Sequence, residues 1–308
     1  FSQDHLDYHK TLKSYLDAKM LLFKKILKIK STIISDREIK PFNILKKISK
    51  KKGFKIFETS NEINRIKKFL PEIIDFRIKN LAMAILAAKT CGLKENLIYP
   101  KIKKIRDVSG RLELVKKFSN NIKVFIDYAH TPDALLKTLI SLKNQYGKNI
   151  SLVFGCGGDR DKGKRKVMAS IANEYCKKIY ITDDNPRSEN PKKIRKKLLK
   201  YISPKKSFDI AKRFDAIKKS IQNASLNEII LVAGKGHEEN QIYKNKVYNI
   251  SDKKIIKSIK FKSKILTKKT TNYLENKTIL NKIFKNKKSI SFNGLSIDTR
   301  SIKKNNLF

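Results

Sequence analysis

The 308-residue chain has no tryptophan, three cysteines, four histidines and only 28 acidic side chains against 72 basic ones. Each shortage excludes something. Cys91, Cys156 and Cys176 have neither metal-ligand nor disulfide spacing, which fits a reducing compartment and makes them packing residues rather than ligands. No apolar run approaches the roughly 18 residues of a membrane-spanning helix, so no membrane insertion is expected. The first residues, Phe1-Ser2-Gln3-Asp4-His5, lack the initiator Met, basic region and apolar region of a secretory signal. The expectation is a fragment that begins inside a domain and works in the cytoplasm.

The formal charge of +44 would by itself suggest nucleic acid as a partner. The lysines, however, are spread along the whole length among Ile and Asn rather than gathered into a stripe or tail. That distribution predicts no specific nucleic-acid binding, while leaving a field that attracts polyanionic small substrates such as nucleotides. A basic nucleic-acid-binding protein remains the competing class, supported by charge alone. With 40% hydrophobic residues, the length is enough for two or more domains with their own cores.

From Asn121 onward the pattern is strand, polar loop, helix, repeated. Val124-Phe125-Ile126 runs into Asp127-Tyr128-Ala129-His130, and Thr131-Pro132-Asp133 then supplies an N-cap, a first-turn proline and a first-turn acid for a helix carrying Leu135, Leu139 and Leu142 on one face. Leu152-Val153-Phe154 leads to the glycine loop Gly155-Cys156-Gly157-Gly158-Asp159-Arg160-Asp161, followed by a helix through Val167, Ile171 and Tyr175. Ile179 to Thr182 precedes Asp183-Asp184-Asn185-Pro186-Arg187, and Ile229 to Ala233 precedes Gly234-Lys235-Gly236-His237-Glu238. Strands separated by helices imply right-handed crossovers and a parallel sheet, so all these polar segments should meet at one sheet edge. Before residue 110 the chain reads as the end of an earlier domain. It has a helix over Thr11 to Phe23, a lysine-rich irregular part to about Lys68, and a helix from Ile78 to Cys91 stopped by Gly92. Residues 262–290 read as a linker with one helix, and residues from 291 as the start of a new unit.

Four features carry chemistry. Asn185 and Arg187 emerge at the carboxyl end of a strand, where open α/β sheets bind ligands. An arginine rigidified by Pro186 can fork onto a carboxylate there, the alternative being a solvated loop. All four histidines, His5, His9, His130 and His237, sit in short polar clusters. Lys19 lies within the apolar stripe of Leu12, Tyr15, Leu16, Met20 and Phe23. It either snorkels at the edge of that stripe or is desolvated enough to react with carbon dioxide, giving a carbamate that suits Mg²⁺ as a hard-oxygen ligand.

Taken together, Asp4-His5-Leu6-Asp7-Tyr8-His9 with Ala18-Lys19, Gly110-Arg111-Leu112-Glu113, Asp127 to Leu135, Gly155 to Arg165, Asp184-Asn185-Pro186-Arg187 and Gly234 to Glu238 resemble the Mur ligase family, in the family's order and spacing over about residues 1 to 260. The resemblance implies an α/β fold: the end of a P-loop-type central ATPase domain over residues 1–108, then a Rossmann-like parallel-sheet domain over residues 109–261. It implies an ATP- and Mg²⁺-dependent amide-forming ligase. In that chemistry a carboxylate of a UDP-N-acetylmuramoyl dipeptide is phosphorylated and the amine of meso-diaminopimelate attacks the acyl phosphate. By resemblance His5 and carbamylated Lys19 serve a Mg²⁺, Asn80 contacts adenine, and Arg111, Asp127 and His130 approach the ribose and phosphates. Arg160, Asn185, Arg187, Gly234 and Glu238 match positions that hold diaminopimelate, with arginines suited to its carboxylates and Glu238 to its ammonium.

The departures are local. The family's phosphate-binding G-x-x-G-K-[ST] loop is absent, Arg77 stands where an asparagine is usual before the adenine helix, and Ile26 to Lys68 match weakly. Without that loop the chain alone is not expected to turn over ATP. At the other end, Ser296-Ile297-Asp298-Thr299-Arg300 with Asn306-Leu307-Phe308 resembles the opening of another Mur ligase N-terminal domain. It suggests, over residues 291–308, a fusion to the next ligase, the one that adds D-alanyl-D-alanine. The alternatives on the same scaffold are a lysine-adding ligase or a folylpolyglutamate synthase. Arg187 discriminates, since lysine has no distal carboxylate for it to hold.

Overall fold

In a computed structural model, the described residues are 3–70, 75–105, 108–118, 120–147 and 149–260, with 294–295 and 306–307. The first part opens with α1 (Leu6–His9) and α2 (Leu12–Leu21), whose N-cap Thr11 accepts from Ser14 N, and a π-helical turn (Leu22–Ile26) extends α2. The stretch expected to be irregular is instead a βαβα unit: β1 (Thr32–Ser35), α3 (Phe42–Lys52), β2 (Lys55–Glu58) and α4 (Ser60–Phe69), with β1 and β2 paired in parallel. Lysines hid it by filling the solvent faces. Phe42, Leu45 and Ser49 are the buried positions of α3, and the helix stops at Gly53. Next comes α5 (Asp75–Thr90), three residues longer at its start than the sequence pattern indicates, then α6 (Glu95–Ile98) and a 3₁₀ turn (Tyr99–Lys104). Ile66, Ile78, Ala82, Ile85, Tyr99 and Ile102 form their shared core.

The second part is a six-stranded sheet in the order β3-β4-β8-β5-β6-β7. Its strands are β3 (Glu113–Lys117), β4 (Lys123–Asp127), β5 (Ile150–Phe154), β6 (Lys178–Ile181), β7 (Ser207–Asp209) and β8 (Ile229–Ala233). All neighbours are parallel except β3, which pairs antiparallel with β4. The central strands β5 and β8 are buried at every position, as expected for strands covered on both faces. On one face Phe125, Leu152, Ile179 and Leu231 pack against α7 (Pro132–Tyr146), α8 (Lys164–Tyr175) and α9 (Pro191–Leu199). The other face is covered by α10 (Arg213–Gln222) and α11 (Asp252–Ser258). The expected N-cap of α7 forms, Thr131 Oγ1 accepting from Ala134 N at 3.3 Å, and Leu135, Leu139 and Leu142 are fully buried. On α8 Lys164, Arg165, Met168, Ala169 and Ala172 are buried, Ile171 and Tyr175 pack half-buried against the core, and Val167 is exposed. A hairpin, β9 (Asn240–Tyr243) with β10 (Lys246–Asn249), follows β8.

No helix among the described residues is long and apolar enough to cross a membrane. Cys156 and Cys176 are buried, their thiols pushed up to about 12 by burial, whereas Cys91 is exposed, contrary to its expected packing role. Residues 260–308 form a separate compact unit. Within it the described elements are the two-residue strands β11 (Gly294–Leu295) and β12 (Asn306–Leu307), paired in parallel. The expected linker helix and Ser296 to Arg300 lie outside the described residues.

Candidate active site

The four loops expected to converge do so, because β4, β5, β6 and β8 are parallel and the polar segments follow their carboxyl ends. Register sets the details. Asp127 pairs with Ala233, so the last residue of β4 lies beside the start of the Gly234 loop, and Gly234 N donates to Asp127 O at 3.0 Å. Gly234 has φ +109°, which strains any side chain there, and a Cβ would also crowd Asp184 Oδ2 at 3.0 Å.

The Asp127 carboxylate is turned inward. It accepts from Leu112 N (2.6 Å), Ala129 N (2.8 Å) and Thr138 Oγ1 (3.4 Å) and is buried. Burial raises its pKa, opposed by those backbone hydrogen bonds. Asp127 thus holds the 110–112 turn, leaving Arg111 exposed with its guanidinium carbon 4.3 Å from the Tyr128 ring centroid. His130 is placed by Nδ1 against Tyr128 O (2.8 Å) and an edge contact with the Tyr128 ring.

The glycine loop and the Asp184–Arg187 loop are locked together. A Cβ on Gly158 would fall 1.9 Å from Pro186 O, and Gly158 N donates to Asn185 O. Asp159 accepts from Ser188 Oγ (2.6 Å) and Ser188 N (3.0 Å), which hold its pKa down. Arg165, almost wholly buried, forks onto Glu189 at 3.0 and 2.8 Å, and Glu189 also accepts from Asp159 N. Exposed Arg160, bonded to Asp159 O, is thereby carried next to the Arg187 segment. Arg187 has φ +50°, a left-handed conformation fixed by Arg187 N to Ile242 O and Lys244 N to Arg187 O. Its Nη1 donates to Gly158 O (2.8 Å) and Asn185 O (3.4 Å), while Nε and Nη2 have no partner among the described residues. One edge of the guanidinium is anchored, and the other keeps the fork geometry that suits a carboxylate.

Lys235 is a buried residue that the motif reading passed over. Its ammonium donates to Asn185 Oδ1 (3.2 Å), Glu238 Oε2 (3.5 Å) and Asn240 O. Asn185 Nδ2 reaches Glu238 Oε2 at 3.5 Å, and Tyr128 Oη donates to Glu238 Oε1 at 3.0 Å. Arg213 is a second missed group. Buried against Asp252, it donates to Ala233 O and so fixes the residue before Gly234. Arg213 had no local signal, since its partners lie 20 and 39 residues away, whereas Lys235 stands inside the Gly234–Glu238 motif and gave no sign there of its burial against Asn185.

The N-terminal candidates assemble around Tyr15. His5 lies 5.6 Å from its ring and Lys19 Nζ 4.8 Å from its centroid. Lys19 is exposed, as in the snorkelling alternative rather than the desolvated one: of its apolar stripe Met20 is buried and Tyr15, Leu16 and Phe23 are half-buried, while Leu12 is exposed. Asp4 Oδ2 lies 3.4 Å from His5 Nε2 and 3.6 Å from His130 Nε2, joining the two parts of the chain. No three His, Cys, Asp or Glu side chains form a ready metal cage among the described residues. A carbamate formed on Lys19 would place a hard-oxygen group beside the same Tyr15 ring as His5, the pair that would hold a Mg²⁺. Asn80 is exposed on α5, and Arg77 donates through Nη2 to Arg111 O (3.1 Å) and to Leu112 O. A separate groove of about 700 Å³ between β2, α4 and α5 is lined by Phe57, Arg65, Leu86 and Lys89 and by none of the expected site residues.

Fold and site together define an α/β ligase scaffold whose conspicuous polar groups gather at the strand ends. Residues 1–88 match the Mur ligase middle domain and residues 110–236 the Mur ligase glutamate ligase domain. The chain belongs to the Mur ligase family. It is 34% identical over 304 residues to the UDP-N-acetylmuramoyl-L-alanyl-D-glutamate--2,6-diaminopimelate ligase of Rickettsia typhi, covering 91% of this chain and 61% of that protein. The enzyme of the same name from Prochlorococcus marinus is 37% identical over 297 residues, covering 84% and 58%. The chain thus spans about three fifths of these relatives. Among solved structures, a Mycobacterium tuberculosis folylpolyglutamate synthase shares the fold with TM-score 0.60 at 15% identity, covering 76% of this chain and 59% of that one.

Proposed function

We propose that this chain is the amino-acid-adding part of an ATP- and Mg²⁺-dependent ligase that joins meso-diaminopimelate to UDP-N-acetylmuramoyl-L-alanyl-D-glutamate in cytoplasmic peptidoglycan synthesis. The supporting observation is the pairing of a half-anchored Arg187 guanidinium with the Glu238 carboxylate and Asn185 amide at one sheet edge. A zwitterion with a carboxylate at its far end matches that array: arginine and amide for the carboxylate, Glu238 for the ammonium. Arg160, on the loop tied to Ser188, extends the positive side. Lysine lacks the distal carboxylate and would leave the open edge of Arg187 unpaired.

Arg111, His130 and exposed Asn80 are assigned to the nucleotide, with Asp127 acting by holding the turn that carries Arg111. ATP supplies the phosphoryl group that activates the glutamyl carboxylate, and Mg²⁺ offsets charge on its oxygens. His5 and carbamylated Lys19 would hold the ion. Residues 1–108 are taken as the end of the ATP-binding domain, 109–261 as the amino-acid-binding domain, 262–290 as a linker and 291–308 as the opening of a fused second ligase.

The test is amino-acid choice in the complete ligase. A site whose polar groups are left unpaired rejects an analogue by about 10⁴- to 10⁵-fold in favourable cases, so kcat/KM for meso-diaminopimelate should exceed that for L-lysine by orders of magnitude. Arg187→Ala should remove most of that preference through poorer use of diaminopimelate. Comparable efficiency with both amino acids in the wild type would sink the assignment and leave the scaffold standing.

A further inference from the structure

We propose that Lys235 is a positioning residue that sets the orientation of the Asn185 amide, and with it the carboxylate-facing side of the amino-acid site. The proposal rests on the reading of this sheet edge as an amino-acid site. Lys235 has no solvent exposure, so its ammonium does not itself meet a ligand. A buried ammonium is tolerated only where acceptors surround it, and here the acceptors are Asn185 Oδ1, Glu238 Oε2 and Asn240 O. The two ends of an asparagine amide have nearly the same shape, and the hydrogen-bond network decides which faces which way.

At Asn185 the network is unambiguous. Oδ1 receives Lys235 Nζ at 3.2 Å and Ile242 N at 3.0 Å. A flipped amide would set its NH₂ against both donors and leave them unpaired. Nδ2 therefore faces Glu238 Oε2, where one N–H makes a long contact of 3.5 Å, and the second N–H is left to donate to a ligand acceptor. The same ammonium lies 3.5 Å from Glu238 Oε2, a long contact beside the shorter one to Asn185. Without it, Ile242 N alone would donate to the amide oxygen.

Two measurements on the full chain test this. In side-chain amide NMR spectra, Lys235→Met should shift the Asn185 NH₂ pair. In calorimetric titration the same variant should bind meso-diaminopimelate about tenfold or more weakly, the scale of a lost hydrogen bond to a charged group. In an Asn185→Ala background, Lys235→Met should cost no further affinity, because Lys235 acts through Asn185. Additive losses, or an unshifted Asn185 signal, overturn the proposal. Should Lys235→Met fail to fold, the wild type decides: its Lys235 ammonium should exchange slowly with water and show contacts to the Asn185 side chain, and exchange as fast as that of surface lysines overturns it. If wild-type chain binds meso-diaminopimelate no better than L-lysine, the amino-acid reading fails, and the Asn185 spectra still decide the role of Lys235.

Discussion

Asp127 shows how one side chain can serve a site without facing a ligand. Its two oxygens accept from the backbone N–H groups on either side of it in space, Leu112 and Ala129, so its charge is committed to loop geometry. Asp127→Asn keeps the shape but turns one acceptor into a donor facing a donor. That mismatch should destabilise the protein by about 1–3 kcal/mol, read as a drop in thermal midpoint, and should loosen the turn that presents Arg111. An unchanged midpoint would mean the buried carboxylate carries less than its geometry implies. Lys19 is the opposite case, exposed above Tyr15 and close to His5. In the complete ligase Lys19→Ala should lower turnover by orders of magnitude, with partial rescue by short-chain carboxylic acids that replace the carbamate. Wild-type turnover without added acid would remove Lys19 from the metal site.

Elements make the two arginine-bearing loops act as one, through Asp159 with Ser188 and Arg165 with Glu189. Both carboxylates have lowered pKa values, Asp159 from the Ser188 hydrogen bonds and Glu189 chiefly from Arg165. A depressed folded-state pKa means these ties contribute fully at neutral pH, weaken once pH falls below the ordinary carboxylate range of about 4, and vanish below the folded-state values. Hydrogen exchange over residues 155–163 and 186–190 should accelerate in that acid window; protection there that ignores pH would contradict the coupling. This locking was not legible in the sequence, because Asp159 and Ser188 meet only when β5 and β6 pair. What was legible were the strands that end in polar motifs: Leu152 to Phe154 and Ile229 to Ala233 are short apolar runs followed by glycine. Missed elements lacked that contrast. β3 carries two lysines in five residues, β7 is three residues long, and β9 and β10 are polar hairpin strands. The site residues were readable as motif positions, but the burial of Lys235 against Asn185 within one such motif, and Arg213 outside them all, were not.

At the scale of the molecule, polar ties among the described residues join the segment before residue 105 to the six-stranded domain. Gln3 Nε2 donates to Asp161 Oδ2 at 2.8 Å, Asp4 faces His130, and Arg77 caps the carbonyls of Arg111 and Leu112. Arg77 is also the position where the sequence departs from the family's usual asparagine, and here it joins the two parts. A hydrogen bond from a charged donor contributes about 1.5–3 kcal/mol, and even 1 to 2 kcal/mol changes a two-state ratio by about 5- to 30-fold. Arg77→Ala should therefore raise the population in which the 110–112 turn is released. The expected signs are faster hydrogen exchange over residues 108–112 and earlier proteolytic cleavage near residue 108, with the thermal midpoint of the six-stranded domain little changed. Arg77→Lys keeps a cationic donor and should restore part of the protection, whereas Arg77→Asn is too short to reach both carbonyls. If Arg77→Ala leaves exchange over residues 108–112 at the wild-type rate, Asp127 alone holds that turn and Arg77 is not the tie between the two parts.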